Sequence, residues 1–200
     1  MNEKISVSAG FALLFAALWF LDNSGSMSAV IPTVIIHELG HAAALMAFGT
    51  GISRITVDIS GFCMDYIYPP GRAGEIFAAA AGPLAGIIYA VACSLLGKIF
   101  DSEYLLCTAG VSLVLSLFNL MPASPMDGGR IMSMILSEWL EDMHVERIEL
   151  TADAVVSAGF IFAGFLLFMK GYGAALIPTG IWIISHRISL YCKNQNYGIE

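Results

Sequence analysis

The 200-residue chain is 58% hydrophobic and 12% charged, with a formal net charge of −7 at pH 7. That balance excludes an ordinary soluble domain and points to membrane-spanning helices. The acids sit mainly in loops and the basic residues are too sparse for a nucleic-acid surface, so no nucleic-acid partner is expected.

Apolar segments at about 5–21, 28–49, 76–97, 104–121, 152–169 and 172–190 each approach the roughly 20 residues that cross a bilayer. They predict an all-α polytopic membrane protein of about six transmembrane helices, organised as a single domain over 1–200. The first segment reads as an uncleaved span, because bulky Trp19 and Phe20 are followed by no small-residue cleavage site. Pro178 and Gly180 interrupt the last. With the N-terminus inside, Lys4, Arg54, Arg72, Arg130, Arg147, Arg187 and Lys193 face the cytoplasm, and only Lys98 and Lys170 lie outside. The positive-inside rule therefore places both termini in the cytoplasm. Cys63, Cys93, Cys107 and Cys192 form no C-x-x-C pair and no disulfide framework.

The second segment contains His37-Glu38-Leu39-Gly40-His41. On a helix this spacing puts two imidazoles one turn apart on one face, where both reach one metal ion, with the glutamate beside it. Ionisable residues inside a span are costly, so such a cluster is a functional hypothesis by default. A catalytic zinc usually takes three protein ligands and keeps a fourth position for water. Ala44 and Ala47 exclude the extended metzincin motif.

Arg54 to Ser60 alternates polar and apolar residues, Gly61 can turn the chain, and Phe62–Tyr66 can return. A small membrane-associated β-hairpin over 53–66 is expected, its edge accepting an extended peptide as an added strand. Thr56 and Val57 are the residues assigned to that contact.

The third segment carries Ala78, Gly82, Gly86, Ala90 and Ser94 at four-residue intervals, a stripe read as helix packing. Pro83 is expected to loosen this helix locally. The fourth ends in Phe118-Asn119-Leu120-Met121-Pro122-Ala123-Ser124-Pro125-Met126-Asp127-Gly128-Gly129. Two prolines and two glycines break the helix, and non-helical backbone at membrane depth belongs where it lines a site. Asp127, its only carboxylate, is the best-placed third ligand on topology. Glu75, in a water-facing loop, is the alternative; Asp58 and Asp65 belong to the hairpin, and Asp101 lies on the opposite side. Residues 137–150 read as an acidic amphipathic helix in which Glu141 and His144 are solvated. His186 reads as an interfacial residue.

These two motifs, with Ala81-Gly82-Pro83 between them, resemble the site-2 protease family of intramembrane zinc metalloproteases, peptidase family M50. The resemblance covers about 28–135, taken as the catalytic core, with helices five and six at about 152–190. Where many relatives carry Asn after Gly-Pro, this chain has Gly86. No PDZ or CBS domain is expected, and the small form looks most like sporulation-type members that cleave a membrane-associated pro-sigma factor. The resemblance implies one Zn²⁺ per chain on His37, His41 and Asp127, with Glu38 as catalytic base. It implies substrate binding or site support by Asn119, Pro125 and Gly128. It also implies a membrane-associated protein substrate, a regulatory membrane partner and a place in the bacterial cytoplasmic membrane. The competing readings are an inactive pseudoprotease serving as a binding module, which intact Glu38 argues against, and a metal carrier. A carrier would need an ionisable path through the bilayer, and only one cluster is present.

Overall fold

The computed structural model describes residues 5–22, 25–58, 61–171 and 176–197. Lys4, Ile59, Ser60 and the 172–175 part of the sixth expected span lie outside the described residues. The chain forms two compact units, Met1–Phe118 and Asn119–Glu200.

The first unit opens with a strand, β1 (Ile5–Val7), and then α1 (Ala9–Leu21). The expected first span over 5–21 thus begins with strand residues, and its helix is thirteen residues long, a rise of about 20 Å. α2 (Met27–Ala47) and α3 (Gly71–Ile99) follow, separated by β2 (Ile52–Asp58) and β3 (Gly61–Tyr66). α4 (Glu103–Asn119) completes the unit. In the second unit an irregular segment leads to α5 (Asp127–Leu136), α6 (Asp142–Met169) and α7 (Leu176–Tyr197). Among the described residues, three helices are long and apolar enough to cross a membrane: α2, α3 and α6. α4 is apolar but has 17 residues. Of the acidic segment at 137–150, residues 142–150 form the first turns of α6, continuous with the apolar run after them.

The hairpin forms as expected but belongs to a three-stranded sheet of order β1-β2-β3. β2 pairs antiparallel with β3, Thr56 facing Cys63 and Val57 facing Phe62. It also pairs parallel with β1, where Thr56 lies opposite Ser6 and Val57 opposite Val7. The Val57 carbonyl accepts the Ser8 N–H at 2.8 Å. Thr56 and Val57 thus occupy the middle strand, with both flanks used. A substrate strand cannot pair with them, and the assignment of the peptide contact to these residues is corrected.

Packing of α2 on α3 rests on small side chains. A Cβ on Gly40 would lie 2.5 Å from the Ala81 carbonyl oxygen and 2.8 Å from the Ala85 Cβ. Ala78, Ala79, Gly82, Pro83, Gly86 and Ala90 are buried along α3, which runs as one helix through Pro83. The stripe also receives α4. The Ser112 hydroxyl donates to the Gly86 carbonyl at 2.8 Å, and a Cβ on Gly86 would strike the Ser116 hydroxyl. At the far end of α4, the Tyr104 hydroxyl donates to the Ser28 carbonyl at 2.9 Å.

In the second unit α6 packs against both α5 and α7. The Ser157 hydroxyl donates to the Gly180 carbonyl, so α6 and α7 meet closely where the sequence places an interruption.

Candidate metal centre

Within the first unit, His37 and His41 stand on one face of α2, as the four-residue spacing requires. His37 is buried and His41 half-buried. Their rings meet edge-on, with centroids 4.7 Å apart and planes at 84°. The Nε2 atoms face each other at 3.1 Å. Two nitrogens about 2.05 Å from one tetrahedral zinc would be about 3.3 Å apart, so this pair fits that ion as two of its ligands.

The second nitrogen of His41 fixes its role. Nδ1 lies 2.7 Å from the Ala78 carbonyl oxygen of α3. A carbonyl can only accept, so Nδ1 carries the proton and Nε2 presents its lone pair toward His37. This is the outer support that metal-ligating histidines commonly have. The carbonyl has a second lone pair for the helix's own ladder.

One turn further along α3, Gly82 makes the space for that ring. A Cβ there would fall 2.2 Å from His41 Nε2 and 2.4 Å from Cε1. The four-residue spacing of Gly82 with Ala78 and Gly86 reads as packing, and nothing in it marks Gly82 as facing an imidazole. Gly40, inside the His-Glu-x-x-His motif, supplies the matching close approach from α2.

Glu38 follows His37 on α2 and is half-buried. Glu75, the alternative third ligand, lies in the first turns of α3, where its carboxylate accepts the Tyr66 hydroxyl at 3.2 Å. Asp65 is exposed on β3, and Asp101 occupies an exposed left-handed turn position at φ 49°.

The second unit carries Asp127, 8% exposed, as the first residue of α5. A carboxylate in a first helical turn is favoured by the unpaired N–H groups there. The preceding segment, 120–126, is irregular, as its prolines require. It folds back on the start of α5. A Cβ on Gly128 would lie 2.2 Å from the Leu120 carbonyl oxygen, and one on Gly129 2.5 Å from that of Ala123. The two glycines therefore let the loop backbone lie against the helix that presents Asp127. Pro125 and the buried Ala123 and Met126 fill this loop; Asn119 is the last residue of α4. Glu141 and His144 are exposed at the start of α6, as expected of a solvated end.

Comparison with known proteins follows the same lines. Residues 6–126 match the peptidase M50B-like family, and residues 99–166 match peptidase family M50. The chain belongs to the M50B-like peptidase family. A zinc metalloprotease of Methanocaldococcus jannaschii is 38% identical over an alignment of 144 residues that covers 69% of this chain and 37% of that protein. The chain spans 29% to 44% of the length of the curated relatives it matches. The solved structure of a site-2 protease from Methanocaldococcus jannaschii superposes with a TM-score of 0.65 at 26% identity. The match covers 90% of this chain and 86% of that one.

Gly82→Ala is expected to lower zinc affinity at least about tenfold, since the new methyl group occupies the position of the His41 ring. Helicity should be retained, because alanine suits a helix interior better than glycine. Metal per chain after dialysis against a graded chelator series, read beside circular dichroism, checks both; wild-type zinc retention would dismiss the role given to Gly82.

Proposed function

We propose that this protein is an intramembrane zinc metalloprotease, hydrolysing a peptide bond in or near a transmembrane segment of a membrane-associated protein. The observation that carries the reading is the facing pair of imidazole Nε2 atoms on α2, one of them locked by the Ala78 carbonyl, with Glu38 between the two histidines. The third ligand in this reading is Asp127, the buried carboxylate that opens α5. The family membership and the named zinc metalloprotease relative support the same reading.

His37, His41 and Asp127 would hold one zinc ion. Zinc bound there would supply Lewis acidity toward water and the scissile carbonyl. Glu38 takes the proton of the attacking water and returns it to the departing amine, the general base and then the general acid. His41 keeps its lone pair aimed at the site through Ala78. The substrate must arrive extended, because a helical peptide hides its own backbone in internal hydrogen bonds.

The sheet offers an edge for that extended segment, and we assign it to β3. Along a strand, successive residues direct their main-chain groups to opposite edges. The Val57 carbonyl points to β1, so Thr56 and its partner Cys63 bond each other. Phe62 and Met64 then direct their N–H and C=O away from β2. In this reading α1, α4 and α7 act as further spans, six in all with α2, α3 and α6, both termini are cytoplasmic, and the membrane is the bacterial cytoplasmic membrane. The substrate is a pro-sigma or anti-sigma factor held at the membrane, and a membrane partner regulates the cleavage.

Glu38→Gln should keep zinc and fold while cleavage of a transmembrane reporter falls at least about a hundredfold. Activity within a few fold of wild type would remove Glu38 from this role, and would leave a different base to be found.

Met64→Pro should impair cleavage of a transmembrane reporter with zinc content unchanged, since it removes an outward donor from the free edge. Met64→Ala should be milder. Equal tolerance of both, at normal protein levels, would show that the β3 edge receives no substrate.

For topology, a thiol reagent applied outside intact cells should label Ser102→Cys and leave Asp142→Cys unlabelled. The reverse pattern would invert the orientation.

A further inference from the structure

The second unit holds a buried charge cluster that the catalytic reading does not use. Asp153 lies in the apolar run of α6 and is 3% exposed. A lone carboxylate there is costly unless it is paired and hydrogen-bonded. One oxygen, Oδ1, accepts the backbone N–H of Ser124 at 2.7 Å. The other, Oδ2, faces Arg187 Nε of α7 at 3.5 Å. Arg187 in turn donates from Nη1 and Nη2 to Glu149 Oε2, each at 3.0 Å, and from Nη2 to the Glu146 carbonyl at 3.4 Å. The guanidinium is mostly covered, its side chain 15% exposed.

Ser124 sits at the centre of the irregular segment that leads into Asp127. That segment cannot satisfy its N–H groups through a helical ladder. Two short turns bond Ala123 N–H to the Met121 carbonyl and Met126 N–H to the Ala123 carbonyl, both at 2.8 Å. Ser124 N–H instead leaves the loop and ends on Asp153. The loop backbone also lies against Gly128 and Gly129. The loop therefore has two supports: the glycines of the helix that begins with Asp127, and a carboxylate from α6.

We propose that Asp153 is a positioning residue for the metal centre: it clamps Ser124, and Arg187 orients the clamp, so that Asp127 is presented in a fixed geometry. This rests on the reading of Asp127 as a zinc ligand. The charge-assisted bond from Ser124 is of the strong kind, and it links α6 directly to the ligand loop. Removing such an outer partner typically weakens metal binding by about 10- to 100-fold.

The test measures zinc dissociation constants by chelator competition in detergent, with the absorption spectrum of the Co²⁺-substituted protein as a second readout. The full-length chain is used throughout. Asp153→Ala is expected to weaken zinc binding at least about tenfold and to change the Co²⁺ spectrum. Asp153→Asn keeps an oxygen that can accept from Ser124, and should recover most of that loss. Glu149→Gln alters the cluster without touching the loop, and should stay within about twofold of wild type in affinity. If Asp153→Ala does not fold, Asp153→Ser, whose hydroxyl is too short to reach Ser124, takes its place with the same expected loss.

Wild-type affinity and spectrum in Asp153→Ala or Asp153→Ser would overturn the proposal. So would equal losses in Asp153→Ala, Asp153→Asn and Glu149→Gln, which would mean that the cluster merely stabilises the α6–α7 pair. Asp127→Ala separates the two readings. If it retains zinc, Asp127 is not a ligand. If it loses zinc while Asp153→Ala retains it, the ligand stands and only the clamp falls.

Discussion

The hydrogen bond from His41 Nδ1 to the Ala78 carbonyl is the interaction on which the metal centre depends. It requires a side chain of α2 to reach the main chain of α3, and a main chain is reachable only where nothing stands on it. Gly82 leaves that space beside the His41 ring, and Gly40 lets α2 come close to Ala81. In hydrocarbon, close approach of helices is driven by packing and polar contacts rather than by expulsion of water. Small residues therefore serve two ends at once. They bring the helices together, and they expose a carbonyl that fixes which nitrogen of His41 carries the proton.

The second unit solves a related problem with different means. A chain interrupted by Pro122 and Pro125 loses helical hydrogen bonds, and apolar surroundings offer no water to replace them. The loop turns back on glycines that lack a Cβ to obstruct its carbonyls, and a buried aspartate supplies an acceptor for one stranded N–H. The aspartate is tolerable because Arg187 lies beside it and Glu149 beside Arg187. Charge here is organised around main chain, in the same way that Ala78 organises His41.

The sheet ties the N-terminal strand to the connection between α2 and α3. Because β1 covers one flank of β2 and β3 the other, the middle strand is closed, and β1 and β3 are the edge strands among the described residues. An edge strand is a template for further pairing. In a two-stranded reading of the hairpin β2 looks like an edge; pairing with β1 closes it.

The sequence by itself determined what depends on neighbours along the chain. His37 and His41 share a face because four residues make about one helical turn, and the break before Asp127 follows from proline chemistry. The alternation at 54–58 gave a strand for the same local reason. Only the tertiary structure decided the rest, because it joins residues far apart in the chain. His41 meets Ala78 across 37 positions, and Ser124 meets Asp153 across 29. None of the three supporting residues is marked by its own residue type: Ala78 acts through its carbonyl, Ser124 through its N–H, and Gly82 through the absence of an atom. Three residues of β1 hold too little pattern to read as a strand beside a long apolar run, and they become one only by pairing with β2. Backbone groups and empty space carry no sequence signature, so the supports of this site became visible only when packing brought them together.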